Sequence, residues 1–177
     1  MSKDAPLIAL AAGGTGGHMF PAEALALEMK QRGWRVLLFT DERGMRFGSD
    51  FPADITCQLN AANPNKRGAK ITAALALFGG MMTARKMLSK HKPDIIVGFG
   101  GYPSAPAMMA ARLKKLPYGV HEQNAVLGRV NRAVARQARF VAHGFQQLSK
   151  VPTLNGTQLM LGNPVRAPIA DKRGAAY

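Results

Sequence analysis

Three short segments bring together residue types that handle anions and sugars. The first is Gly13-Gly14-Thr15-Gly16-Gly17-His18. Its glycines let the backbone turn tightly and carry amide N–H groups close to an anion, and a helix starting there adds its positive end. The spacing meets neither the Gly-Lys-Ser/Thr ending of a P-loop nor the Gly-x-Gly-x-x-Gly dinucleotide fingerprint, and no acid closes the second apolar run before Thr40. A phosphate or diphosphate loop is therefore expected, with His18 beside it as a base or as a hydrogen-bond donor to a substrate oxygen. The second segment, Gly98-Phe99-Gly100-Gly101-Tyr102-Pro103-Ser104-Ala105-Pro106, repeats the logic. Gly100 and Gly101 allow close approach, Tyr102 offers a hydroxyl on an apolar ring, and Ser104 is a candidate helix cap. The third is His121-Glu122-Gln123-Asn124, four polar residues closing an apolar run. Its amides suit sugar hydroxyls, and Glu122 suits either orienting His18 or taking a proton itself. Each segment also has a plainer reading: a tight turn, a strand-to-helix loop and a polar loop entry.

The elements that must position these segments alternate regularly. Brief apolar runs at Leu7–Ala12, Arg35–Thr40, Ile55–Leu59, Asp94–Gly98, Tyr118–His121, Phe140–Ala142 and Gln158–Leu161 read as strands. Helices are expected at Pro21–Gln31, Ala69–Lys90, Ser104–Lys114 and Leu127–Arg136, the first opened by Pro21 and closed by Gly33. This order predicts an α/β fold: a Rossmann-like parallel sheet with helices on both faces and a ligand crevice at the carboxyl ends of the strands. All three segments fall at such ends. After the last strand comes Gly162-Asn163-Pro164-Val165-Arg166, with no helix following to cover that edge. A domain over residues 1–166 is expected, with 167–177 as the start of a linker or a truncated tail.

Composition narrows the classes. The 177 residues suit one domain with a sizeable core, and the single cysteine, Cys57, allows no internal disulfide and has no zinc-like companions. A cytosolic setting is expected, and the apolar run Pro6–Ala12 is too short for a secretory core. Charge is uneven: residues 1–54 hold six basic and seven acidic side chains, whereas 55–177 hold 18 basic and three acidic ones. Lys66, Arg67, Lys70, Arg85, Lys86, Lys90 and Lys92 fall in an acid-free stretch between Asp54 and Asp94. Such a field draws polyanions, an anionic membrane surface or phosphorylated substrates. Nucleic acid is the weakest of these readings, because aromatics are few and no known binding module is present.

Taken in order, Gly-Gly-Thr-Gly-Gly-His, Gly-Gly-Tyr-x-Ser, His-Glu-Gln-Asn and Gly-Asn-Pro-Val-Arg resemble the N-terminal half of the MurG family. These are bacterial glycosyltransferases that add N-acetylglucosamine from UDP-N-acetylglucosamine to lipid I, the undecaprenyl-diphosphate-linked muramyl pentapeptide, forming lipid II in peptidoglycan synthesis. The resemblance covers residues 7 to about 168 and implies the GT-B fold, two Rossmann-like domains facing across a cleft. By this resemblance the chain is expected to supply the acceptor-side domain, with the C-terminal donor domain as the missing partner and little or no activity in the chain alone. The implied chemistry is inverting hexosyl transfer to the muramyl 4-hydroxyl with release of UDP. Thr15, Gly16 and Gly17 match donor-binding positions, Asn124 a residue reaching the transferred sugar, and Arg166 the arginine after Asn-Pro. His18, with Glu122 second, is the expected base. Gly13, Gly14, Gly100, Gly101, Tyr102 and Ser104 make the acceptor or diphosphate loops. No Asp-x-Asp occurs, so neither metal nor cofactor is implied. A non-catalytic lipid-diphosphate-binding module, or one subunit of a two-chain transferase, is the alternative.

Lipid I is membrane-anchored, so the resemblance implies a peripheral protein on the cytoplasmic side of the cell membrane. Ile71 to Ala84 carries no charge and includes Leu75, Phe78 and Met82, with Arg85 and Lys86 next. Fourteen uncharged residues fall short of the roughly 20 needed to span a bilayer. Ile71, Leu75, Phe78, Met82, Arg85 and Lys86 are the expected docking face of a surface helix, the alternative being a helix wholly packed on the sheet.

Overall fold

Alternation within each strand sends successive side chains to opposite faces, and in the central strands both faces are apolar, as a parallel sheet covered on two sides requires. The computed structural model describes residues 5–47, 50–60 and 70–165. Seven strands, β1 (Leu7–Ala11), β2 (Arg35–Thr40), β3 (Ile55–Gln58), β4 (Ile95–Gly98), β5 (Tyr118–Glu122), β6 (Phe140–His143) and β7 (Thr157–Met160), form one sheet in the order β3-β2-β1-β4-β5-β6-β7. Every pairing is parallel.

The described helices are α1 (Gly16–Gln31), α2 (Glu42–Phe47), α3 (Lys70–His91), α4 (Ala105–Leu113) and α5 (Arg129–Ala135). Ile8, Leu10, Ala12, Val36 and Leu38 pack with Met19, Ala22 and Ala26 of α1 on one face. Leu7, Ala9, Leu37 and Phe39 pack with Leu88 of α3, Met108 of α4 and Val134 of α5 on the other. Leu10, Leu37, Phe39 and Ile96 are fully buried, so truncating any of them to alanine costs about 2–5 kcal/mol. The expected two-faced, Rossmann-like parallel sheet is the fold found.

Two local readings change. Helix α1 begins at Gly16, not Pro21, so His18 lies in its first turn and Pro21 lies inside the helix. That proline removes a donor that would meet the Gly17 carbonyl, close enough to the helix start to be tolerated. Helix α2 was not expected; the Asp41 carboxylate accepts the Gly44 amide at 2.9 Å and holds this short turn. Strand order reverses at β1, whose neighbours are β2 and β4, and the loops after β1 and β4 flank this switch point, where open α/β sheets bind ligands.

Candidate functional site

The three polar segments meet at the carboxyl end of the sheet. A cleft of about 260 Å³ is lined by His18 of α1, Gly100, Gly101 and Tyr102 after β4, Glu122 and Asn124 at the end of β5, and Gly128 to Asn131 at the start of α5. Gly100 and Gly101 take φ +86° and +75°, a region that side chains disfavour. They also give way to neighbours: a Cβ on Gly101 would lie 3.0 Å from His18 Cδ2, and one on Gly100 would lie 3.2 Å from Asn131 Nδ2. The glycines of this loop therefore let the His18 ring lie directly against the backbone.

Glu122 is buried to 2% exposure, and its carboxylate is fully engaged. Oε1 accepts the backbone amide and side-chain amide of Asn124 at 3.2 and 2.9 Å; Oε2 accepts the Gly128 amide at 2.9 Å and Asn131 Nδ2 at 3.0 Å. It organises the loop between β5 and α5 and does not orient His18. That contact belongs to Gln123, whose Oε1 lies 3.0 Å from His18 Nδ1. Sequence reasoning read Gln123 only as a sugar-binding amide, because nothing in the local spacing indicates its reach to α1.

Asn131 was missed entirely. It is fully buried at the cleft wall; Nδ2 donates to the His121 carbonyl and to Glu122, while Oδ1 has no partner. A buried acceptor without a donor costs about 1–3 kcal/mol, so a ligand hydroxyl or amide reaching it would be rewarded. One asparagine between Arg129 and Arg132 in a short helix gives little signal in sequence.

The first glycine loop is more structural than its composition suggests. The Asp41 carboxylate, at the end of β2, accepts the Gly14 amide at 3.0 Å, and Gly14 takes φ +82°. A Cβ on Gly13 would lie 2.7 Å from Pro103, so Gly13 is a packing position between the two loops. Neither glycine lines the cleft. Thr15, in extended conformation, makes no side-chain capping bond, and the first-turn amides of Gly16 and Gly17 are without partners; Thr15 and Gly17 are exposed and Gly16 is half-buried. Arg43 sits beside the loop, 3.6 Å from the Asp41 carboxylate. Ser104 is fully buried, makes no cap for α4, and donates to the Gly101 carbonyl at 2.9 Å, locking the second loop from behind. Tyr102 is half-buried in the cleft wall and Asn124 is exposed at its rim.

The expected docking helix is amphipathic across its packing face. Ala73, Ala84 and Leu88 of α3 are buried, whereas Ile71, Leu75, Phe78 and Met82 are 77, 66, 59 and 44% exposed. These four recur at helical spacing and form one stripe, which continues into exposed Arg85 and Lys86. No helix among the described residues is long and apolar enough to cross a membrane. Arg166, Lys66, Arg67 and the tail 167–177 lie outside the described residues.

A model of the glycosyltransferase family 28 N-terminal domain matches residues 8–143. The UDP-N-acetylglucosamine--N-acetylmuramyl-(pentapeptide) pyrophosphoryl-undecaprenol N-acetylglucosamine transferase of Maricaulis maris is 50% identical over 171 residues, covering 95% of this chain and 46% of that protein. The protein of the same name from Phenylobacterium zucineum is 48% identical over 163 residues, covering 90% and 45%. The crystal structure of Acinetobacter baumannii MurG superposes with a TM-score of 0.71 at 30% identity, over 86% of this chain and 44% of that one. The chain thus spans about half the length of the curated relatives it matches.

Proposed function

Since the chain belongs to glycosyltransferase family 28 through its N-terminal domain, we propose that it is the acceptor-side half of a transferase moving N-acetylglucosamine from UDP-N-acetylglucosamine to lipid I. The observation that carries this reading is the convergence of His18, Gly100, Gly101, Tyr102 and Asn124 on one cleft at the topological switch point. The names of relatives at 48–50% identity supply the substrate class.

In the proposed reaction the muramyl 4-hydroxyl attacks the anomeric carbon of N-acetylglucosamine. The new O–C bond forms as the bond to the UDP phosphate breaks, with inversion, and the hydroxyl proton passes to His18 Nε2. General-base assistance of this kind is worth about 10²–10⁴-fold. The partnerless amides of Gly16 and Gly17, beside Thr15 at the head of α1, meet donor phosphate or sugar oxygens in this reading, Asn124 takes the contact to the transferred sugar that the family resemblance implies, and Arg166, after Asn-Pro, is a further substrate-binding residue. Gly100, Gly101 and Tyr102 face the acceptor. Glu122, with four donors on its carboxylate, serves by holding Asn124 and Asn131 in place.

Docking is assigned to α3. The stripe Ile71–Leu75–Phe78–Met82 enters the interfacial region of the cytoplasmic leaflet while Arg85 and Lys86 meet anionic headgroups, each cation adding about 1 kcal/mol. The protein is thereby peripheral, and the donor half is the partner that completes the site. The test is transfer of labelled N-acetylglucosamine to lipid I by this chain joined to the donor half of a family relative. His18→Ala should lower turnover about 100-fold; unchanged turnover would remove His18 from catalysis.

A further inference from the structure

We propose that Gln123 is a positioning residue that fixes the His18 imidazole as its Nδ1–H tautomer, leaving the Nε2 lone pair toward the cleft, and that the sense of this arrangement is set through His121 by the Gly162 carbonyl. This deepens the reading of His18 as the base and rests on it for its consequence in catalysis, though the tautomer itself can be measured without it.

A continuous chain of hydrogen bonds starts outside the cleft and ends at His18. The Gly162 carbonyl, just beyond β7, can only accept, and His121 Nε2 lies 3.0 Å from it, so Nε2 carries hydrogen. His121 is 5% exposed with its ring tilted against Phe99, and burial favours its neutral form. A neutral imidazole with hydrogen on Nε2 has its lone pair on Nδ1. The Gln123 amide nitrogen lies 3.1 Å from that Nδ1 and 3.1 Å from the His121 carbonyl, and it donates to both. Turning the amide over would set its oxygen against both of these acceptors, so the orientation is fixed by the network. Gln123 Oε1 therefore faces His18 Nδ1 at 3.0 Å, and that contact needs hydrogen on Nδ1. His18 Nε2 is left as the acceptor, beside Gly101, whose missing Cβ would lie 3.3 Å from it.

The glutamine amide offers a donor and an acceptor on one planar group that stays uncharged at any ordinary pH, and here each end is used. The far end of the chain is anchored too. Asn163 Nδ2 donates to the Gln123 carbonyl at 3.3 Å, and the Asn163 side chain occupies the space where a Cβ on Gly144 would sit. The segment by which the chain leaves β7 thus helps to hold the relay that sets the His18 tautomer. The ionisable groups around it are Glu122 of β5 and His143 of β6 beside His121, and Tyr102 and Arg129 across the cleft from His18.

The test is long-range ¹H–¹⁵N correlation of the histidine rings in the 177-residue chain, recorded above the imidazole titration. The expected result is a protonated Nδ1 and an unprotonated Nε2 at His18, with the opposite pattern at His121. Gln123→Leu should return His18 to a mixture dominated by the Nε2–H form that free imidazole side chains prefer in water. Gln123→Glu keeps an acceptor for His18 and removes the donor to His121, so His18 should remain Nδ1–H while the His121 signals move. An Nε2–H tautomer at His18 in the unsubstituted chain overturns the proposal, as does an unaltered Nδ1–H pattern in a folded Gln123→Leu variant. Turnover assays of His18→Ala in the joined enzyme address the base assignment separately: a correct tautomer with unaffected turnover removes the base and leaves the relay standing.

Discussion

Replacing Phe78 by aspartate separates membrane docking from packing more cleanly than any other single change on α3. Phe78 is 59% exposed, so the variant should keep its fold, whereas a helix face packed on the sheet would not tolerate the charge. A phenylalanine side chain carries about 200 Å² of apolar surface, of which that fraction leaves about 120 Å² available to a bilayer. At about 25 cal/mol per Å², complete burial is worth about 3 kcal/mol and half-burial about 1.5 kcal/mol. The affinity for vesicles of mixed neutral and anionic phospholipid should therefore fall roughly 10- to 150-fold, at low and at high salt alike. Lys86→Glu should weaken binding mainly at low salt, because its contribution is screened over about 8 Å at physiological ionic strength. Co-sedimentation of each variant, paired with circular dichroism, reads both quantities. A folded Phe78→Asp variant that binds vesicles like the parent chain would refute the docking assignment.

Three further outcomes follow from the cleft. In the joined two-half enzyme, His18→Ala should cost about 10²-fold or more in turnover, measured as label transferred to lipid I. Gly101→Ala should lower turnover and stability together, because it forces a side chain to φ +75°, ψ 155°, a region almost confined to glycine, and into contact with the His18 ring; a destabilisation of about 1–3 kcal/mol by denaturant titration is expected. The pH dependence of stability should carry the signature of buried His121. Burial lowers its pKa from 6.5, opposed by the Gly162 carbonyl and Glu122 and aided by His143. As pH falls below about 6.5 the unfolded chain binds the proton first, so the thermal midpoint should decline until the lowered native value is passed. His91, lowered by burial and by Lys90 and Arg35, acts in the same direction. His121→Gln should flatten part of this slope, and a midpoint independent of pH between 7 and 5 would contradict the neutral buried assignment.

The fold was legible because parallel strands buried on both faces read as short apolar runs, and all seven runs form strands within a residue or two of the expected ends. Helix α1 was foreshortened because Gly16 and Gly17 look like loop residues; a first turn needs no intrahelical amide partners, so glycine is cheap there. Helix α2 escaped notice because six residues containing Gly44 carry no usable period, and its support, the Asp41 carboxylate, is a local cap. At the site, the glycine loops and the polar cluster after β5 announced themselves by breaking apolar runs at strand ends. Which side chains touch was not legible. Glu122 and Gln123 are neighbours that point to opposite jobs, one inward to Asn131 and the α5 loop, the other across to His18, and that division arises from the alternation at a strand end and from residues brought in by α1 and α5.

In the proposed function the cleft between the start of α1 and the loops after β4 and β5 receives the acceptor's muramyl diphosphate. Titration of the ¹⁵N-labelled 177-residue chain with a water-soluble, short-chain lipid I analogue tests it directly. Saturable shifts at the Gly100 and Gly101 amides, the Tyr102 amide, the Asn131 side-chain amide and the His18 ring are expected, because these groups line the cleft. Saturable binding that leaves these signals in place while perturbing another surface, or no binding by the folded chain at analogue concentrations that saturate a complete family enzyme, would contradict it.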